Sequence, residues 1–341
     1  MIVPKPETKR PGICDEVVDF LRQSSSYPTP APVEMVETHM SLIFMVGDRV
    51  YKMKKALLLG SVDFTTIEAR RRNCERELQL NRALAPGIYL DVVAIVRRRD
   101  GTLAIGGDGM AVEWLLAMKR LDHAGFLSAL IVCGRARPVD IAAIGEKLAD
   151  FYTSAHRIAL TVADHLEWWM LGVAKIEASL NHFLPHLTVG KVATALARLN
   201  RFLANHQPWL AERVAHHRIL DGHGDLRPEH VYIGPPLLLL DRLEFDARLR
   251  WSDPFDEASF LGLECEHLGA PWVGPQLVAL LAAHLRDAPK PALLGFYRGY
   301  RATLRASLSI EHLRDARPRT PDLWPRLAEA YLDIALSDPV V

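Results

Sequence analysis

Five side chains able to carry charge or move a proton, His223, Asp225, Arg227, Glu229 and His230, crowd one loop, and the apolar run Leu237 to Leu240 then delivers Asp241. Packing seldom needs such density. A run of leucines reads as a buried strand, so an acid at its end stands at the rim of a core, where binding and reactive groups are commonly carried on loops. The competing reading is a solvated loop with a capping acid, because exposed charges are ordinary on a globular surface.

Spacing weighs against that second reading. H-x-D, a polar residue five positions after the Asp, and a β-type run ending in another Asp resemble the catalytic loop and metal-binding Asp of the protein-kinase-like fold. More narrowly, HGDLRPEH followed by LLLLD resembles the aminoglycoside phosphotransferase family, whose usual pattern is HGDLHPGN, an apolar strand and Asp. THMSLIFMVGDRVYKMKK, LNRALAP and WSDPFDEASF look like a subgroup of that family also found as the front half of longer proteins with a P-loop ATPase domain. No G-x-x-x-x-G-K-[ST] occurs in this sequence.

The resemblance implies an α+β, bilobal protein-kinase-like fold with a small antiparallel-sheet N-lobe and a larger helical C-lobe. It places a helical extension and linker at 1–32, the N-lobe at 33–120, a hinge near Met118 to Leu121, and the C-lobe at 121–341. It implies an O-phosphotransferase that uses ATP or GTP with Mg²⁺ and phosphorylates a hydroxyl of a small, cationic acceptor. An aminoglycoside antibiotic is the first expectation, with resistance as the consequence. A sugar or amino alcohol as acceptor is the nearest alternative. A catalytically silent nucleotide-binding module is another, prompted by the missing glycine-rich loop and by His230.

Site residues follow from the same resemblance. Asp225 would accept or orient the proton of the attacking hydroxyl, His223 would be the structural histidine of the loop, and Asp241 would offer the carboxylate oxygen that a hard Mg²⁺ wants. His230 stands where the family has a metal-binding Asn, and an imidazole suits Mg²⁺ poorly. It is expected to face the phosphates; otherwise Glu229 or Glu244 substitutes an oxygen ligand, or one Mg²⁺ suffices. Lys52 is expected at the α/β-phosphates, with Lys54 as runner-up, and Glu77 as its partner, with Glu75 as the alternative. The backbone around Met118 would take the adenine. Asp253, Glu257 and Glu264, in an acidic group with Asp256 and Glu266, would recognise a cation; the alternative is acids complementing a helix dipole or Asp256 buttressing the loop.

The elements that must position these groups are legible in outline. MSLIFMV and RVYKMKK around Gly47-Asp48 read as a hairpin, and Lys52 and Lys54, two apart on one strand, share a face. Thr65 and Glu68 have the capping-box form before a helix whose inward stripe is Ile67, Cys74 and Leu78. YLDVVAIVRR, GTLAIGG and AVEWLLAM read as three strands. Helical spacing then dominates: Ile141, Ile144, Leu148 and Phe151 behind Asp140, and the stretches 170–186, 191–204, 274–285 and 293–313. Residues 13–22 read as a short N-terminal helix ended by SSSYPTPAP. Thr38, His39 and Ser41 stand where a glycine-rich loop would lie, either offering donors to phosphate or capping the start of the strand.

Composition narrows the partners. With 41 basic and 41 acidic residues the formal charge is zero, unlike chains that grip phosphate backbones, so nucleic acid is not expected. Cys14, Cys74, Cys133 and Cys265 form no C-x-x-C pair, which fits a reducing cytoplasm. No apolar stretch approaches the roughly 20 residues of a membrane span. The oligomeric state is not legible.

Overall fold

Gly47 takes φ of +55°, the left-handed turn conformation that lets β2 (Ser41–Val46) fold back on β3 (Arg49–Lys54), as the hairpin reading required. The computed structural model describes residues 15–59, 62–315 and 320–337. Cys14 and residue 13 of the expected N-terminal helix lie outside that range; the described part is α1 (Asp15–Leu21). Two compact units emerge, one from Met1–Gly125 with Leu238–Asp246, the other from Phe126–Leu237 with Ala247–Val341.

In the first unit β1 (Val33–Glu37) precedes the hairpin. The chain continues through a small pair, β4 (Leu58–Leu59) and β5 (Val62–Asp63), to α2 (Ile67–Arg82), β6 (Tyr89–Arg97), β7 (Leu103–Ile105) and β8 (Met110–Lys119). The three strands expected after α2 are all present. Six strands form one antiparallel sheet in the order β1-β2-β3-β8-β6-β7. The period of two on β3 sends Tyr51 and Met53 into a core with Phe44, Ile95, Leu115 and the α1 residues Val17, Val18 and Leu21. Lys52 and Lys54 therefore leave by the opposite face, against α2.

Two details of α2 differ from the reading of the sequence. Its cap is Thr66, whose hydroxyl accepts the Ala69 N–H at 3.1 Å, because Thr65 is already engaged: its N–H and hydroxyl both donate to Asp63 Oδ1. Its buried face is polar, carrying Arg70, Asn73, Glu77 and Asn81 beside Cys74 and Leu80, while Ile67 is exposed. Arg70 donates to both oxygens of Glu113 on β8 and to the Phe64 carbonyl, which fastens the start of the helix to the sheet.

The second unit is mainly helical: α3 (Leu127–Val132), α4 (Pro138–Ser154), α5 (Val162–His182), α6 (Val189–Asn205) and α7 (Gln207–Ala215) come first. Short strands β9 (Leu220–Asp221) and β10 (Val231–Tyr232) follow, and β11 (Leu238–Leu239) is contributed to the first unit. Then come β12 (Trp251–Ser252), paired with β9, and α8 (Pro254–His267), α9 (Val273–Leu285), α10 (Pro291–Glu311) and α11 (Leu323–Ser337). Asp140 caps α4 by accepting the Arg137 N–H at 2.9 Å. Helix α5 starts well before the periodic stretch at 170, because the Thr161 hydroxyl accepts the Asp164 N–H at 3.0 Å.

Helices α8 and α9 approach through Gly262 and Gly274: a Cβ on Gly262 would stand 2.6 Å from Gly274 Cα. Gly262→Ala is therefore expected to destabilise the protein by about 1–3 kcal/mol through overpacking, seen as a lower urea midpoint. An unchanged midpoint would contradict this close crossing. No helix among the described residues is long and apolar enough to cross a membrane.

Candidate active site

In the first unit, the polar face of β3 meets the polar face of α2 in a cluster of five charges. The Glu77 carboxylate lies between two ammonium groups, with Oε1 2.8 Å from Lys52 and Oε2 2.6 Å from Lys54. Lys52 also donates to Asp241 Oδ1 at 2.8 Å, and Lys54 to Glu244 Oε1 at 2.7 Å. Glu77 is the inward acid of α2, and Glu75 is exposed and paired with Arg71. Burial alone would lower the Lys52 pKa, but Asp241, Glu77 and Glu244 more than reverse this and hold it well above the usual lysine value. Lys54 is raised in the same way against burial, by Glu77 and Glu244. Glu244 is itself raised, burial outweighing the pull of Lys54. Cys74 beneath them is pushed up to about 12 by burial and is inert.

Asp241 has φ of +59°, a left-handed conformation that costs a non-glycine residue about 1–2 kcal/mol. Its surroundings hold it there. The Asp241 N–H donates to Tyr89 Oη at 2.9 Å, and Asn81 accepts the Arg242 N–H at 2.8 Å while donating to the Arg242 carbonyl. Tyr89 and Asn81 are residues that the sequence did not single out. Met118 is on β8, opposite Val50 and Tyr89. Thr38 and Ser41 satisfy each other, the Ser41 N–H donating to Thr38 Oγ1 and the Thr38 N–H to the Ser41 carbonyl, which is the strand-capping arrangement.

In the second unit the H-G-D loop is held from below. Glu257 Oε1 accepts the Gly224 N–H at 2.6 Å, and Tyr152 donates its hydroxyl to Oε2 at 2.9 Å. Gly224 has φ of +87°, and a Cβ on Gly222 would stand 2.6 Å from Glu257 Oε1, so both glycines are required. His223 is fully buried, its Nδ1 3.3 Å from the Asp225 N–H. His230 directs Nδ1 at the Asp225 carbonyl, 2.7 Å away, and closes the loop on itself. Arg227 places Nε 3.0 Å from Asp225 Oδ1 and Nη1 2.5 Å from Glu229.

The acids expected at an acceptor surface are employed inside the unit. Asp253 caps α8 through the Phe255 N–H, pairs with Arg213 and accepts the Tyr297 hydroxyl. Glu257 holds the loop as described. Glu264 pairs with Arg305 at 2.7 Å and accepts the Tyr331 hydroxyl. Asp256 and Glu266 are bound by Arg301 and Arg298. Arg298, Arg301 and Arg305 recur at three- and four-residue spacing on α10, so one helix face answers the acids of α8. All of Asp253, Asp256, Glu257 and Glu264 are buried, and for Asp253, Asp256 and Glu264 burial raises the pKa against the pull of Arg213, Arg301 and Arg305 respectively. That signal, an arginine stripe on a later helix, was present in the sequence and not matched to the acids.

No family model matches the chain. It is 29% identical over 294 residues to an uncharacterized protein of Mycobacterium tuberculosis (strain H37Rv), covering 84% of this chain and 56% of that protein, and equally to one of Mycobacterium bovis. The chain thus spans a little over half the length of the curated relatives it matches. Among solved structures, a spectinomycin phosphotransferase in complex with ADP and spectinomycin superposes with a TM-score of 0.51 at 10% identity, over 95% of this chain and 97% of that one. The fold is protein-kinase-like. The first unit holds Lys52 and Glu77, and the second holds the H-G-D loop. Arg227, Glu229 and His230 are where this loop departs from the HGDLHPGN pattern.

Proposed function

We propose that this chain transfers the γ-phosphoryl group of ATP or GTP to a hydroxyl of a small acceptor. The observation that carries the reading is the Lys52 ammonium held 2.8 Å from both Glu77 and Asp241. Such a lysine is oriented by one buried carboxylate and can exchange the other, exposed one for phosphate oxygens. Lys52 then contacts the nucleotide phosphates, Glu77 orients Lys52, and the backbone at Met118 receives the base. Asp225, its Oδ1 fixed by Arg227, accepts the hydroxyl proton as the acceptor oxygen bonds to the γ-phosphorus. The bond from that phosphorus to the bridging oxygen breaks, and nucleoside diphosphate leaves.

A magnesium site fits in part. Asp241 is an exposed carboxylate on a rigid turn and supplies the hard oxygen ligand. Among the described residues no three His, Cys, Asp or Glu side chains are grouped to hold a metal unaided, which fits an ion delivered with nucleotide phosphates. Mg²⁺ would neutralise charge on those phosphates when bound. We assign His230 to closing the loop, because its Nδ1 is directed at the Asp225 carbonyl and a ring nitrogen suits Mg²⁺ poorly.

An aminoglycoside remains the acceptor that the resemblance implies. The internal pairing of Asp253, Glu257 and Glu264 favours a second reading, a sugar or other hydroxylated metabolite without multiple positive charges. Release of nucleoside diphosphate from purified protein, across aminoglycosides, amino alcohols and neutral polyols, decides between them. Turnover confined to the aminoglycosides supports the first and turnover confined to neutral polyols the second. No turnover with any of them, together with no nucleotide binding, would remove the proposal itself.

A further inference from the structure

We infer that Lys54 and Glu244 are a second, internal ion pair that positions Glu77 and Asp241 for the reaction, making Glu244 a positioning residue; the inference rests on the phosphotransferase reading and deepens it. The two lysines of β3 share a face but not a role. The Lys52 side chain is 15% exposed and its partner Asp241 is 41% exposed, so this pair can open toward a ligand. Lys54 and Glu244 are 3% and 5% exposed, and neither can reach one without dismantling the interior.

What the buried pair can do is fix orientation. A carboxylate held through one oxygen still swings about its bond. Lys54 at 2.6 Å from Oε2 removes that freedom and leaves Oε1 directed at Lys52. Glu244 in turn keeps Lys54 from being drawn wholly onto Glu77.

The same pair also acts on the turn. Glu244 lies three residues beyond Asp241, whose positive φ persists only if the segment is tied on both sides. Tyr89 ties the amide of Asp241, Asn81 ties both polar groups of the Arg242 backbone, and Lys54 ties the side chain of Glu244. Removal of the Lys54 tie weakens the support of the turn that carries the Asp241 side chain. A misplacement of about 1 Å in a reacting group costs on the order of 10²-fold in rate.

The test compares Lys54→Met, Glu244→Ala and the double variant Lys54→Met/Glu244→Ala with wild type, by thermal melting, by nucleotide affinity in equilibrium binding and by kcat for nucleoside-diphosphate release. Each single variant leaves a buried charge short of a partner and is expected to melt early. The double variant, with both charges gone, is expected to regain most of the melting temperature, to keep nucleotide affinity within about threefold, and still to show kcat lowered on the order of 10²-fold. A double variant that regains kcat along with its melting temperature would show a merely structural pair and overturn the inference while leaving the enzyme reading intact. A wild-type protein without nucleotide binding or turnover would take down both.

Discussion

Lys52→Met protein is expected to fold, to bind adenosine as wild type does, and to lose about 10²–10³-fold in kcat. The magnitude is that of deleting one preorganised donor aimed at developing charge. ATP affinity relative to adenosine should also fall, roughly 10–100-fold, because a hydrogen bond to a charged group is worth about 1.5–3 kcal/mol. Folding should survive because Lys54 remains 2.6 Å from Glu77 Oε2 and keeps that buried carboxylate paired. Calorimetric titration of ATP and adenosine beside steady-state rates would check both parts. The lysines are then told apart by affinity: if Lys52→Met bound ATP normally and Lys54→Met did not, the assignment of the phosphate-binding lysine would have to be exchanged.

Arg213→Met is expected to cost about 3–5 kcal/mol, the range for removing one partner from a buried ion pair, or roughly 6–20 °C in melting temperature for a unit of this size. Arg213 donates to Asp253 and, through both terminal nitrogens, to Asp287 at 2.8 and 2.7 Å. Met matches its length but leaves Asp253 at the helix start with a charge and no cation. The pH dependence has a defined sign. Burial raises the Asp253 pKa even with Arg213 present. A carboxyl raised in the folded state favours folding most below its unfolded pKa, and that advantage is lost as pH rises through the folded value. Without Arg213 the rise is larger, so the gap in melting temperature between variant and wild type should be wide at pH 7–8 and narrow toward about pH 4. A gap that stayed constant with pH would point to lost packing rather than an unpaired charge.

Local grammar carried much of the fold in the sequence. The hairpin at Gly47, the three strands after α2 and the long helices α6, α9 and α10 follow from period and turn chemistry, which act over a few residues. What local pattern left open was decided at a distance. Thr65 and Thr66 are equally good caps until Asp63 claims the first of them. Lys52 and Lys54 share a face by the period of two, and only Asp241 and Glu244, about 190 residues later, separate them. The acids of α8 resembled a cation site because their partners Arg213, Arg298, Arg301 and Arg305 lie 32 to 45 residues away. The left-handed turn at Asp241 carries no glycine to announce it, and is maintained by Tyr89 and Asn81, which precede their partners by 152 and 161 residues.

The candidate site divides along the same line. The motif HGDLRPEH with its later Asp is local and was read directly, including the departure at His230. Its support is tertiary: Glu257 beneath Gly224, Tyr152 beneath Glu257, and the ring of His230 turned back to the Asp225 carbonyl. None of these follows from spacing alone.

The central claim is that Asp225 activates a hydroxyl for phosphoryl transfer, and transfer of labelled γ-phosphate from ATP to an acceptor, by wild type and by Asp225→Asn, tests it most directly. A positioned general base contributes about 10²–10⁴-fold, so the variant should lose that much in kcat while binding nucleotide as tightly as wild type. Equal rates of labelling by the two proteins would contradict the account.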